Sequence, residues 1–203
     1  MVSRRHLPYF AFALMMSWSV GAYATAEPES PRQLVQRLVN TINSIKPTQQ
    51  GSLSPTIQEA SLAAAREANT ILDLRAVGQR SLGKHWQSRT PSEQNEFVAL
   101  LEQLFAKVAY PKSAEFFSGL EMRLGKENVA GHNATVETTV KHPKEGLVSV
   151  DYRLIQESGA WRVQDILLDD VSLVSNLQSQ FNKIITEHSY TELVRRIRDK
   201  LNE

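Results

Sequence analysis

Asp165, Asp169 and Asp170 are the side chains whose placement in this sequence could do chemistry. Asp165 lies inside an otherwise apolar run, Trp161 to Leu168, where an unpaired buried carboxylate would be costly. Two readings are open for it. It is either a general base in a pocket, with Tyr152 as proton donor, or a carboxylate at a strand edge or bulge, pairing with Arg153 or Arg162. Asp169 and Asp170 stand just before a helix pattern and read as caps. Nothing else completes a catalytic constellation. His6, His85, His132, His142 and His188 are scattered, without a second ligand at chelating spacing, so no metal site is expected. There is no Cys, and no Ser in a Gly-x-Ser-x-Gly elbow. Gly83-Lys84 lacks the upstream glycine and following hydroxyl of a phosphate loop. Asn133-Ala134-Thr135 matches a glycosylation acceptor but reads more simply as a strand start. Trp86 and Trp161 could stack on a ligand or fill a core. No catalytic residue and no cofactor is assigned, and the expectation is a protein that is not an enzyme.

The elements that would position these residues follow from periodicity. Leu34, Val35, Leu38, Val39, Ile42 and Ile45 fall at helical spacing, after a short leader from Glu27 to Arg32. Lys46 to Pro55 reads as a loop. Thr56 to Leu82 is helix-prone, with two helices meeting near Asn69 to Asp73 and Gly83 as a left-handed stop. Thr90-Pro91-Ser92-Glu93 opens a helix whose wide apolar face carries Phe97, Leu101, Leu104 and Phe105, and Pro111 ends or kinks it. The period then changes to two. Four strands are expected, at Glu121–Leu124, Thr135–Lys141, Leu147–Gln156 and Trp161–Leu168, with a hairpin turn at Glu157-Ser158-Gly159. Consecutive apolar Ile166, Leu167 and Leu168 break the alternation and suggest a bulge, a bend, or burial on both faces. Two amphipathic helices follow. The layout is α+β.

The first 26 residues follow the export pattern. Arg4 and Arg5 precede an apolar run from Leu7 to Val20, and Ala24-Thr25-Ala26 is a small-residue cleavage site. The run is shorter than the roughly 20 residues of a spanning helix, so a removable signal segment over 1–26 is expected. Residues 27–203 then form a single domain. Removing the segment takes away Arg4 and Arg5 but no acid, moving the formal charge from +1 to near −1. That gives no electrostatic case for nucleic acid. With no Cys, an exported chain must hold together by packing alone.

Several segments occur in an order that resembles one family. They are Leu82-Gly83-Lys84-His85-Trp86, then Ser92 to Phe105, Val150 to Leu154 (VDYRL), Gly159 to Ile166 (GAWRVQDI), Val171 to Asn176 (VSLVSN) and Gln180-Phe181. The sequence is similar over nearly all of residues 27–203 to the MlaC-type periplasmic phospholipid-binding proteins, the toluene-tolerance family. It departs from them at Asp170, where the family usually has Gly, at Leu177-Gln178, where an aromatic–Arg pair is usual, and at Pro111, where the family helix continues. The resemblance implies a four-stranded antiparallel sheet covered by helices on one side, cone-like, with an internal apolar pocket. It implies a monomeric periplasmic carrier that shuttles a phospholipid between outer- and inner-membrane complexes and serves outer-membrane lipid asymmetry. Its partners would be an inner-membrane ABC lipid transporter and an outer-membrane lipoprotein complex, with hopanoid or another lipid as an alternative cargo. By position, the lipid-binding residues would be Phe97, Leu101, Phe105 and Tyr110 from the helix, Val136, Val148, Val150, Tyr152, Val163 and Ile166 from the sheet, and Val171, Leu173 and Val174 near the closing helix. Two other functions compete. One is an enzyme on a cone fold similar to the ketosteroid-isomerase-like group, using Asp165. The other is an envelope adaptor whose apolar faces meet without a void.

Overall fold

The computed structural model describes residues 28–46 and 54–203. The expected signal segment, and all but the ends of the Lys46–Pro55 loop, lie outside the described residues. Helix α1 (Pro31–Ser44) begins inside the expected leader. Ser30 and Gln33 form a reciprocal capping box around Pro31, the same device that Thr90, Pro91 and Glu93 use to start α4 (Pro91–Leu104). Helices α2 (Pro55–Ile71) and α3 (Leu74–Leu82) meet where composition places their junction. The Asp73 carboxylate caps α3 by accepting the Ala76 N–H at 2.9 Å. Gly83 closes α3 with φ +53°, and a Cβ there would sit 2.7 Å from Gln178 Nε2. The backbone conformation therefore demands glycine, while the end of the Gln178 side chain would have to move aside for any larger residue.

Pro111 does not end the long helix. The chain widens into a π turn at Phe105–Ala109 and continues as α5 (Tyr110–Phe116). Proline has no N–H, and its ring collides with the carbonyl four residues back in a regular helix. One extra residue in the turn makes room, and the Tyr110 N–H bonds Phe105 O instead.

The sheet is an antiparallel meander of five strands in chain order, not four: β1 (Met122–Ala130), β2 (Asn133–His142), β3 (Gly146–Glu157), β4 (Ala160–Leu168) and β5 (Val171–Ser172). β1 runs well past the expected Leu124, because a register shift between Leu124 and Glu127 hides its alternation. β5 pairs Leu167 with Ser172 and Leu168 with Val171. The two residues between, Asp169 and Asp170, take φ of +45° and +65°. They form the tight hairpin turn that positive φ permits and are not helix caps. The cap of α6 (Leu173–Glu187) is Ser172, whose Oγ accepts the Ser175 N–H at 3.0 Å. Helix α7 (Tyr190–Asn202) ends the chain.

One face of the sheet is apolar. Ala134, Val136 and Val140 of β2 and Val148, Val150, Tyr152 and Leu154 of β3 are buried under the helices, while Thr135, Glu137 and Arg153 face outward and are exposed. The phase break in β4 is a bulge. Leu154 pairs with Val163 and Arg153 with Asp165, leaving Gln164 unmatched. Val163 therefore shares a face with Leu154, and beyond the bulge Ile166 shares one with Tyr152.

Asp165 sits at this bulge, 1% exposed rather than at a surface edge. Its carboxylate accepts the N–H of Ile166 (3.0 Å) and of Val174 (3.1 Å) and the hydroxyl of Ser172 (2.7 Å). Arg153 approaches it at 3.8 Å. This carboxylate ties β4 to β5 and to the first turn of α6. Asp165→Ala leaves buried donors unmet and is expected to cost about 3 kcal/mol in thermal unfolding. The hairpin offers a contrast. Asp170→Gly relieves the positive φ and should stabilise by up to about 1 kcal/mol. Asp169→Gly gains no such increment, because it loses the bond from the Ser149 N–H at 2.9 Å.

Candidate functional site

A cavity of about 600 Å³ lies between the apolar face of the sheet and the helices. Helix α1 lends it Leu38, Val39, Ile42 and Asn43, and the α2–α3 junction lends Leu72. The π turn and α5 turn Phe105, Ala109, Tyr110 and Ser113 inward, followed by Phe117. The sheet contributes Met122, Val150, Tyr152, Ile166 and Leu168. Asp169, Val171, Ser172, Leu173 and Asn176 complete the walls at the β4–β5 hairpin and the start of α6. Leu168 and Val171 are 44% and 59% exposed, so this end is an apolar rim open to solvent.

The polar atoms of the walls are few and mostly committed. The Tyr110 hydroxyl donates to Asn69 Oδ1 at 2.8 Å, and Asn69 donates in turn to the Glu102 carbonyl at 3.4 Å. The Phe105 and Tyr110 rings meet edge to face at 5.7 Å. Burial, and secondarily the charge of Glu102, pushes the Tyr110 phenol well above its ordinary range. Burial, and secondarily Asp151, does the same to Tyr152. Both phenols stay protonated at neutral pH. Among the described residues, the lining holds no Lys, Arg or His and a single carboxylate, Asp169. It sits at the rim, anchored to Ser149.

Such a site suits hydrocarbon: its walls are mostly apolar, the Tyr110 and Tyr152 hydroxyls are buried within them, and the carboxylate of Asp169 stands at the rim. The walls do not include Asp165, whose carboxylate is occupied by the donors described above. The proposed pairing of Asp165 as base with Tyr152 as acid is not assembled. Trp86 is buried, with the Arg75 guanidinium 5.8 Å over its ring, and Trp161 packs against the core; neither lines the cavity.

Of the residues expected to touch a ligand, Phe105, Tyr110, Val150, Tyr152, Ile166, Val171 and Leu173 reach the cavity. Phe97, Leu101, Val136, Val148, Val163 and Val174 do not; they lie in the packed core. The reason is geometric for α4. Its apolar stripe faces α3, α6 and α7, with Phe97 edge-on to Phe181 at 5.7 Å and near Tyr190 at 6.3 Å. Leu101 lies against Gly78, where a Cβ would come within 3.1 Å of its side chain. Only from the π turn onward does this helix address the cavity. The α1 wall was missed, although its amphipathic stripe was visible, because a stripe does not say whether it meets side chains or a void.

This division is testable. Ile42→Trp fills the cavity and should abolish retention of lipid by the purified protein while leaving the thermal midpoint unchanged or higher. Phe97→Ala empties packed core and should cost about 4 kcal/mol without removing the cavity.

No curated protein matches the sequence. Among solved structures, a phospholipid-binding protein from Ralstonia solanacearum, in complex with a phospholipid, has the same fold at a TM-score of 0.64. It is 18% identical, and the match covers 85% of this chain and 96% of that one. Residues 32–199 match the family described as MlaC protein. That span takes in the entire sheet, the bulge and every wall of the cavity. The chain belongs to the MlaC family.

Proposed function

We propose that this protein binds the acyl chains of a phospholipid in the central cavity and carries it through the periplasm. It would exchange its cargo with an outer-membrane lipoprotein complex and an inner-membrane ABC lipid transporter. The observation that carries this reading is the apolar cavity, with a single carboxylate, Asp169, at its edge and an open apolar rim at Leu168 and Val171. Family membership and the phospholipid in the Ralstonia protein support it.

The energetics suit a carrier. A diacyl lipid has roughly 30 chain methylenes, each worth about 0.8 kcal/mol on leaving water. The sum is on the order of 20 kcal/mol, the ceiling of non-covalent affinity, so the free monomer hardly crosses water. The protein competes with a bilayer, not with water. A comparable apolar interior makes transfer nearly neutral and therefore reversible. Direction must come from partners, since the sequence carries no nucleotide-binding motif. A methylene takes about the volume of one water, roughly 30 Å³. The cavity of about 600 Å³ thus holds one long chain and part of a second. A diacyl ligand must leave the rest at the rim or move α1 and α5 further from the sheet.

Transfer of a fluorescent phospholipid between donor and acceptor vesicles tests the reading. The protein should accelerate transfer well above the spontaneous rate. Val171→Asp places a charge on the rim and should slow the accelerated rate about ten-fold, equivalent to about 1.4 kcal/mol. No acceleration by the unaltered protein contradicts the reading.

A further inference from the structure

A second hollow, of about 630 Å³, lies on the other side of the π turn. The turn is shared. Phe105 and Ala109 face the central cavity, and Ala106, Lys107 and Val108 face the second hollow. Its remaining walls come from Ile45 and Lys46 just after α1, the first half of α2, α5 and the end of α7, so it is a concavity between helices rather than a flat patch. The floor is apolar, with Val108, Pro111 and Leu201, and Leu62 at 43% exposure. Four lysines stand around it: Lys46, Lys107, Lys112 and Lys200. Glu115 and Glu203 also line it, and Glu203 pairs with Lys200. Among the described residues, no carboxylate forms an ion pair with Lys46, Lys107 or Lys112. Elsewhere on helices α1 and α7, Arg37 is matched by Glu29 and Glu67, and Arg195 by Glu192 and Asp199.

We propose that this hollow is a second ligand site, for an anionic single-chain amphiphile such as a lysophospholipid or fatty acid. The hydrocarbon lies on the floor, and the phosphate or carboxylate is met by Lys107, Lys112 and Lys46. Each half of the surface asks for a different half of that ligand. Apolar wall gains from covering by hydrocarbon, and gathered, unmatched ammonium groups gain from an anion. Inorganic phosphate satisfies only the lysines, an uncharged chain satisfies only the floor, and a flat bilayer does not reach into the concavity. A ligand here presses on the π turn from the side opposite the central cavity.

The test uses the purified, lipid-stripped protein and two photoreactive probes with the same lauroyl chain and a diazirine at its end. One is a lysophosphatidylglycerol and the other a lysophosphatidylcholine. Labelled residues are mapped by peptide mass spectrometry, with inorganic phosphate as competitor in a further arm. The anionic probe should label α2, the π turn and the end of α7, in addition to the central cavity. The zwitterionic probe should label the second hollow about ten-fold less. The double variant Lys107→Glu, Lys112→Glu should lose labelling there by a similar factor and keep it in the central cavity. Labelling confined to the central cavity overturns this proposal and leaves the carrier reading intact. Absence of labelling at both places overturns both. Equal labelling of the second hollow by the two probes shows capture by apolar contact alone and overturns the anionic site. Phosphate should lower labelling by the anionic probe only to the level of the zwitterionic one; complete displacement by phosphate overturns the proposal, because the chain would then contribute nothing. The probe comparison on the unaltered protein decides the matter even if the variant is unstable.

Discussion

A single extra residue in β4 decides which of its side chains meet packed core and which meet the cavity. Successive strand residues alternate between faces, so a slip of one position exchanges them all. Strict alternation from Val163 would put Asp165 and Leu167 on the cavity side and turn Ile166 and Leu168 away. The unmatched Gln164 reverses this. Ile166 and Leu168 join Val150 and Tyr152 around the apolar space, and the one carboxylate of the strand interior is kept out of it. Asp165 then does structural work. It gathers the Ile166 and Val174 N–H groups and the Ser172 hydroxyl, and so fixes the short β5 and the start of α6 against the bulge. The rim residues Val171 and Leu173 are placed by that same junction.

The opposite wall depends on a comparable irregularity. A regular helix through Pro111 would clash with its own backbone. The π turn removes the clash and shifts the phase of the helix surface beyond it, so that a helix packed against α3, α6 and α7 at Phe97 and Leu101 presents Ala109 and Tyr110 to the cavity beside Phe105. The bond from Tyr110 to Asn69 then pins the widened turn to α2. The cavity is thus bounded on two sides by departures from regular structure. Each displaces side chains that a regular element would have packed.

Much of this was legible in the residues. Alternation along Val148, Val150, Tyr152 and Leu154 shows which face of β3 is apolar, and Ser158-Gly159 encodes a turn with positive φ at both positions. Thr90-Pro91-Ser92-Glu93 specifies a helix start by its own hydrogen bonds. The run Ile166-Leu167-Leu168 announces a change of phase. Other features were not legible, for definite reasons. β5 has two residues, too short for a period, and Asp169-Asp170 resembles a cap because aspartate serves equally in turns of positive φ. The partition of Phe97, Leu101, Val136, Val148, Val163 and Val174 from the cavity depends on tertiary packing. Periodicity reports an apolar face and is silent on whether the facing element touches it.

The central claim is that the hollow between α1, the π turn and the sheet holds acyl chains. Native mass spectrometry of the protein purified from its own cells, without detergent, tests this most directly. The account predicts a protein mass increased by that of a bound phospholipid, which collisional activation releases intact. A bare protein mass under these conditions, with no lipid in an organic extract of the same sample, would contradict it.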